Sequence, residues 1–521
     1  MLSGIARLRR LDAIWAALLF VGVCVGNPRQ LVAGSPGGSC QSSVKHTKAE
    51  LVDCIRDSQL WRALAAFQNI ADRNPGPDGH GNRNTGTRGY EASVEYVARF
   101  MREAGYHVAI QPYPWTRFSV AGIPQFATAV HSYKLSRDWF VARLSGSGAL
   151  SAMVEPAGGA AGGEAADGCS PDDFATFAPG HIALVQRGTC SADAQVANAE
   201  AAGAVGLAIY NGENVPPGKG EPPGDGAFQL KLIDPAGIPV VGLSYAAGND
   251  LYRQYKSAVA PIVRLDIQTR RLSGTDFNLI ADSPYGDPGR VVVVDAHLDS
   301  IYGAGMLDNA SGSTTILEIA RQMAKTPTSN QLRYIWFGGE ELGLLGSHYY
   351  TTHLDAEELK KIVFNIDVDV TATPNFALLV ADPAHAWNVD RFPPNVVAQS
   401  QIGNEDFAAY FRSIGVESRN GNNNGTDSNS FSLIGVPDSG IYTQQDCCKS
   451  ALQVKLWGGF RGNYEGSIPS FNGGCVDQPH RWCDNLSNND RFVLGLVSKA
   501  VASVVFELAN DTALPSRSPP S

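Results

Sequence analysis

The chain has 521 residues, 44% hydrophobic and 18% charged, which is a globular composition with enough length for two domains. Its formal net charge of -10 gives no electrostatic footprint for nucleic acid. Beyond the N-terminus no segment reads as long and apolar enough to span a bilayer. At the N-terminus, Arg7, Arg9 and Arg10 precede an apolar run from Ile14 to Gly26 and then small residues. This is the layout of a secretory signal peptide, assigned to residues 1–34, and the run is short for a transmembrane anchor. A lipoprotein signal at Cys24 is the alternative, with Val23 a poor residue before the cleaved bond. The expectation is a secreted, extracellular protein with no membrane attachment after signal removal.

Nine cysteines are present, and Cys24 would leave with the signal. An even remainder in an exported chain reads as disulfides. Local spacing suggests Cys40 with Cys54, Cys169 with Cys190 and Cys475 with Cys483. The adjacent Cys447 and Cys448 leave the last assignment open. Further along, "YEASVEYVARFMREAG" has apolar residues at three- and four-residue spacing and then a Gly stop, which predicts a helix. "VEPAGGAAGGEAADG" reads as a linker-like loop. It leads into a strand–helix–strand unit ("GHIALVQRGTC", "DAQVANAEAAGAVGLAIYN", "GIPVVGLSYAAG") in which no acid or histidine cluster stands out. Its Pro/Gly-rich "VPPGKGEPPGDG" reads as an exposed loop. After Gly274, short apolar strands ("VVVVDAHLD", "LRYIWFGG", "IVFNIDVDV", "FALLVAD") alternate with helical stretches ("GSTTILEIARQMA", "RFVLGLVSKAVASVVFELA"). That alternation predicts an α/β domain with a mixed, largely parallel sheet flanked by helices. The tail, residues 511–521, reads as disordered.

Five segments place metal-type ligands just past a strand or in a loop. "DAHLDS" gives His297 and Asp299, and "MLDNASG" gives Asp308. "GGEELG" gives Glu340 and Glu341, "NIDVDV" gives Asp367 and Asp369, and "VDQPHRWCDN" gives His480 and Asp484. Imidazole and carboxylate without free thiolate suit zinc or a neighbouring divalent metal in a catalytic site. Two histidines and three carboxylates exceed one ordinary zinc and fit two metals, about 3.5–4 Å apart, sharing a bridging carboxylate. Adjacent carboxylates at the end of an apolar strand repel and are costly unless paired, protonated or metal-bound. One glutamate can bind metal while its neighbour takes a proton from water. A helix cap or helix-dipole role accounts for any one of these acids, but not for ligand chemistry in all five segments at one sheet edge.

The chain closely resembles the secreted di-zinc aminopeptidases, the family that includes leucine-preferring bacterial and fungal enzymes. The resemblance rests on "NRNTGTRGYEASVEYV", "AHLDS", "LDNASGS", "FGGEELGLLGSHYY", "TATPN", "TDSNSF", "KLWGG" and "HRWCDNLSN", in that order. It implies a discontinuous zinc-peptidase domain at 40–135 and 271–510. Residues 136–270, with "ALVQRGTC" and "GIPVVGLS", resemble the inserted, smaller, β-rich α/β protease-associated domain of such enzymes. By the resemblance, His297, Asp308 and Asp369 hold one zinc, and Asp308, Glu341 and His480 the other, with Asp308 bridging. Glu340 is then the general base, Asp299 orients His297, and Asp484 plays a similar part near His480. The substrate implied is a peptide or protein N-terminus.

The chain departs from the family at Pro479, where a Tyr that stabilises the oxyanion is usual; such donors are worth about 2.7–4 kcal/mol. The segment before His480 is also longer than usual. Asp367 and Asp369 lie two apart on a strand, so strand geometry alone does not choose between them. The family's Asn-x-Asp pattern fits Asn365 and Asp367, but register from Glu341 and from "TATPN" falls on Asp369, leaving Asp367 as a hydrogen-bonding neighbour. The alternatives are a carboxypeptidase, for which Arg461 and Arg481 are the local cations, a glutaminyl cyclase on the same fold, or a binding homologue that has lost its metals. Retention of all five ligands and the base argues against the last.

Overall fold

The computed structural model describes Cys40 and residues 43–515, apart from 77–78, 160–164, 189, 213–225, 229, 231, 233, 258–259, 423–424, 467–474 and 477–481. The leader read as a signal peptide lies outside the described residues. So does the end of the tail, 516–521; before it Leu514 is buried, and its carbonyl accepts from Arg290 at 2.7 Å. The chain divides into two compact units, one made of residues up to Trp115 and from Gly274 onward, the other of Thr116–Ser273. Cys40 is bonded to Cys54, Cys169 to Cys190 and Cys475 to Cys483. The adjacent Cys447 and Cys448 are bonded to each other.

The strands in chain order are β1 (His107–Thr128), β2 (Trp139–Val141), β3 (Gly148–Pro156), β4 (Ile182–Gln186), β5 (Gly206–Tyr210), β6 (Val240–Leu243), β7 (Ile262–Asp282), β8 (Asp287–His297), β9 (Asn330–Phe337), β10 (Ile362–Val368), β11 (Leu379–Ala381), β12 (Arg419–Gly421) and β13 (Asp438–Tyr442). In the unit Thr116–Ser273, β3, β4, β5 and β6 lie parallel in that order, and β2 runs antiparallel beside β6. Ile182 and Leu184 face one small core while Ala183 and Val185 face another, the alternation of a strand covered on both sides.

The other unit has the strand order β12-β11-β13-β10-β8-β9-β7. Its centre, β13, β10, β8 and β9, is parallel; β11 is antiparallel to β13, and the end of β7 is antiparallel to β9. Val292, Val294 and Ala296 join the main core with Phe364, Ile366 and Val368 of β10. Val291 and Val293 join Phe337, Tyr350 and Phe431 on the opposite face. Unbroken apolar runs such as "VVVV" follow from burial on both faces. The helix read from "YEASVEYVARFMREAG" spans Arg88–Ala104, is capped by the Thr87 side chain and ends at Gly105 in the left-handed region.

The helix Arg491–Asn510 is long and apolar enough to cross a membrane by length and composition, contrary to the sequence reading, yet 78% of its window is buried in the protein. A helix packed on all sides in a core has the same composition as a membrane span.

The helix Ala310–Met323 sits unusually close to β10. A Cβ on Gly312 would lie 2.1 Å from the Val368 carbonyl oxygen. Glycine inside a helix normally costs about 1 kcal/mol relative to alanine, so Gly→Ala usually stabilises. Here the sign reverses. Gly312→Ala is expected to lose about 1–3 kcal/mol through overpacking, read as a lowered midpoint in denaturant, and to disturb the strand end that carries Asp369.

Candidate metal centre

Three parallel neighbours deliver the candidate residues to one edge. β8 ends on His297; β9 ends at Phe337, ahead of the turn holding Glu340 and Glu341; β10 ends at Val368, one residue before Asp369. Open α/β sheets bind ligands beyond such carboxyl ends. Asp308 comes from the start of the helix Ala310–Met323. Its neighbour Asn309 ties that start to β10: its amide donates to the Val368 carbonyl at 2.9 Å, and its Oδ1 accepts the amides of Gly312 and Val370.

His297 Nε2 lies 2.9 Å from Asp308 Oδ1 and 3.3 Å from Asp369 Oδ1. On the other side of the ring, Nδ1 lies 3.2 Å from the Asp299 carbonyl oxygen. A carbonyl can only accept, so Nδ1–H donates to it, which leaves Nε2 as the ring atom available to a metal. His297 Nε2, Asp308 Oδ1 and Asp369 Oδ1 are all buried and lack a hydrogen-bond partner. Three buried atoms that converge without a hydrogen-bond partner make a candidate cation site. Nitrogen and carboxylate donors fit zinc. His297, Glu340 and Glu341 form a second group whose ligand atoms lie within 4.8 Å of one another.

The electrostatics of the cluster suit a divalent cation. Burial disfavours charge on the His297 ring, yet the carboxylates around it, Asp369 and Glu340 foremost, push its pKa well above the ordinary imidazole range. Burial, joined by the charge of Asp369, raises Asp308. Burial above all, with Asp427, Asp369 and Asp308 adding to it, pushes Glu340 well above the usual carboxylate range. A bound divalent cation reverses each of these pressures.

The other candidates fall as follows. Asp299 Oδ1 accepts the Glu340 backbone N–H at 3.2 Å and lies 3.6 Å from His297 Nδ1. Asp367 belongs to neither group of ligand atoms around His297; its Oδ2 accepts the Ser428 N–H at 3.1 Å. Burial and Asp369 push Asp367 up to about 6. Asp484 accepts the amides of Leu307 at 2.7 Å and Asp308 at 3.1 Å, so it holds the backbone of the Asp308 loop. His480, Pro479 and Arg481 lie outside the described residues, and Arg461 is exposed. Sequence reasoning missed Asp295 and Asp427, both fully buried behind the site. An acid inside "VVVVDAH", two residues before His297 and so on the same strand face, was the available signal for Asp295. It also missed Thr85 and Arg83, whose roles come from long-range packing.

Residues 278–505 match Peptidase family M28 and residues 151–251 match the PA domain. Over 500 residues the chain is 32% identical to a Pseudomonas aeruginosa protein described as an aminopeptidase, covering 92% of this chain and 86% of that one. It is 30% identical over 486 residues to the Mycobacterium tuberculosis protein named probable lipoprotein aminopeptidase LpqL, covering 89% and 87%. Among solved structures, an aminopeptidase from Aneurinibacillus sp. strain AM-1 superposes with a TM-score of 0.68 at 20% identity, over 91% of this chain and 98% of that one. A zinc aminopeptidase from Bacillus subtilis gives 0.56 at 23% identity, over 89% and 97%. At such identities the two structures speak for the fold.

Proposed function

The chain belongs to peptidase family M28 and is a zinc-dependent aminopeptidase; we propose that it is exported and removes N-terminal residues from peptides with two zinc ions and Glu340 as the general base. The observation that carries this reading is the convergence of the orphaned His297, Asp308 and Asp369 atoms, with Glu340 and Glu341 beside the same histidine. His297, Asp308 and Asp369 would hold one ion. Asp308, Glu341 and His480 would hold the other, His480 being assigned from the sequence alone.

The chemistry that zinc supplies at such a site is Lewis acidity, which polarises a carbonyl and acidifies water. The protein's own residues do the rest. Glu340 takes a proton from the attacking water and gives it to the departing amine. Its buried setting raises its proton affinity toward what that shuttle needs. Asp299 keeps the His297 ring and the Glu340 backbone in fixed relation. The surplus of carboxylates suits the free ammonium of an N-terminus and disfavours a substrate carboxylate, which separates this reading from a carboxypeptidase. Export is supported by the leader sequence and by the bonded cysteines.

The test combines metal analysis with a substrate panel. Purified protein is expected to contain two equivalents of zinc, to cleave aminoacyl substrates, to spare N-blocked ones, and to lose activity reversibly to a chelator. Active protein without divalent metal, or cleavage confined to C-terminal substrates, would sink the proposal.

A further inference from the structure

The segment Asn82–Gly86 lies far in sequence from every candidate ligand, yet it is built into the back of the metal centre. Arg83 is fully buried and donates to three carbonyls of the loop after β8: Leu298 at 2.5 Å, Ala304 at 2.7 Å and Gly305 at 2.6 Å. Ser300 donates from its hydroxyl to Asn84 Oδ1 at 2.9 Å. The Gly86 amide donates to Asp276 Oδ2 at 2.7 Å. These contacts fix the segment, so whatever Thr85 holds is held rigidly.

Thr85 is 3% exposed. Its hydroxyl donates to Asp299 Oδ2 at 2.9 Å and accepts the Gly339 N–H at 3.0 Å. The other oxygen of Asp299 accepts the Glu340 N–H. One hydroxyl and one carboxylate thus close a ring of hydrogen bonds between the strand end that carries His297 and the turn that carries Glu340. Gly339 has a φ of 67°, a left-handed conformation that sets the direction of the turn. A turn built on such a residue is held by the groups that bind its amides.

We propose that Thr85 is a positioning residue for the reaction: its hydroxyl, shared between Asp299 and the Gly339 amide, sets where Glu340 stands relative to the metal ligands. The inference rests on the reading of Glu340 as the base. Its physical content is that a small displacement of a proton-transferring group costs rate and leaves substrate and metal binding intact.

Thr85→Val keeps the shape and removes the hydroxyl; Thr85→Ser keeps the hydroxyl and removes the methyl. With the full-length protein loaded with zinc and an aminoacyl substrate, Thr85→Val is expected to lose about 10–100-fold in kcat, the range for removing an outer partner of a metal site. KM and zinc stoichiometry should stay at wild-type values while the melting midpoint falls modestly, because the Gly339 amide and an Asp299 oxygen lose a buried partner, and Thr85→Ser should restore most of kcat. Thr85→Ala serves as a second variant if Thr85→Val does not fold, with the same kcat loss expected. Unchanged kcat in folded Thr85→Val or Thr85→Ala overturns the inference. So does a Thr85→Ser protein as impaired as Thr85→Val, which would assign the effect to packing of the methyl. Glu340→Gln in the same series separates the two levels. If it is inactive while Thr85→Val is unimpaired, only the positioning role fails; if Glu340→Gln is fully active, the base assignment fails.

Discussion

Glu340→Gln is expected to keep its zinc and lose about 10²–10⁴-fold in kcat, the usual contribution of a positioned general acid–base group. Glutamine matches glutamate in shape, and the turn is held through its backbone. The Glu340 N–H donates to Asp299, and the Leu344 N–H donates back to the Glu340 carbonyl at 2.8 Å. Neither contact needs the carboxylate. What the substitution removes is the only part of Glu340 that can carry a proton from water to a leaving amine. Glu341→Gln should behave differently: it replaces a candidate ligand, so zinc content should fall along with activity. Elemental analysis of both purified variants beside their steady-state rates decides the matter. Full zinc in Glu341→Gln with depleted zinc in Glu340→Gln would show that the roles are exchanged.

What was legible in the sequence was local. Apolar runs alternating with helical stretches implied a largely parallel sheet, and acids or a histidine at the ends of those runs marked its carboxyl edge. β10 is buried along its whole length, so Asp367 within it had to have a reason; the sequence showed the oddity without its geometry. Short cysteine spacings pointed to partners because a bridge between nearby positions needs little chain closure. Cys447 and Cys448 stayed open because adjacency carries no spacing information. The contributions that escaped are those made by folding distant segments together. Thr85 meets Asp299 across 214 positions, and Arg83 meets Gly305 across 222. No periodicity or local motif encodes such a pairing. Arg491–Asn510 illustrates the reverse: its composition is plain, but whether lipid or protein covers it is decided by the tertiary fold.

Asp369→Ala is expected to abolish tight binding of one zinc ion, while Asp367→Asn should stay close to wild type. The two carboxylates are two positions apart, but β10 ends between them, at Val368. Val370 then takes a positive φ of 49°, so the chain turns at once beyond the strand. Asp369 Oδ1 comes to 3.3 Å from His297 Nε2 and has no hydrogen-bond partner there. Removing it takes one of three converging donors, and the remaining pair makes a poor zinc site, since zinc takes three protein ligands plus water in catalytic centres. Loss of activity should exceed the roughly 10–100-fold that an outer partner costs. Asp367 spends Oδ2 on the Ser428 amide, and its carboxyl meets that of Asp295, which burial and Asp367 itself keep far above the usual carboxylate range. Burial of two neighbouring carboxyls disfavours charge on both at once. Asparagine can still accept from Ser428 with its oxygen and donate to Asp295 with its nitrogen, so Asp367→Asn preserves the bonding and removes a buried charge. Zinc titration of the two apo-variants reads the difference directly. If Asp367→Asn binds one ion fewer while Asp369→Ala binds two, the ligand on this strand has been misassigned.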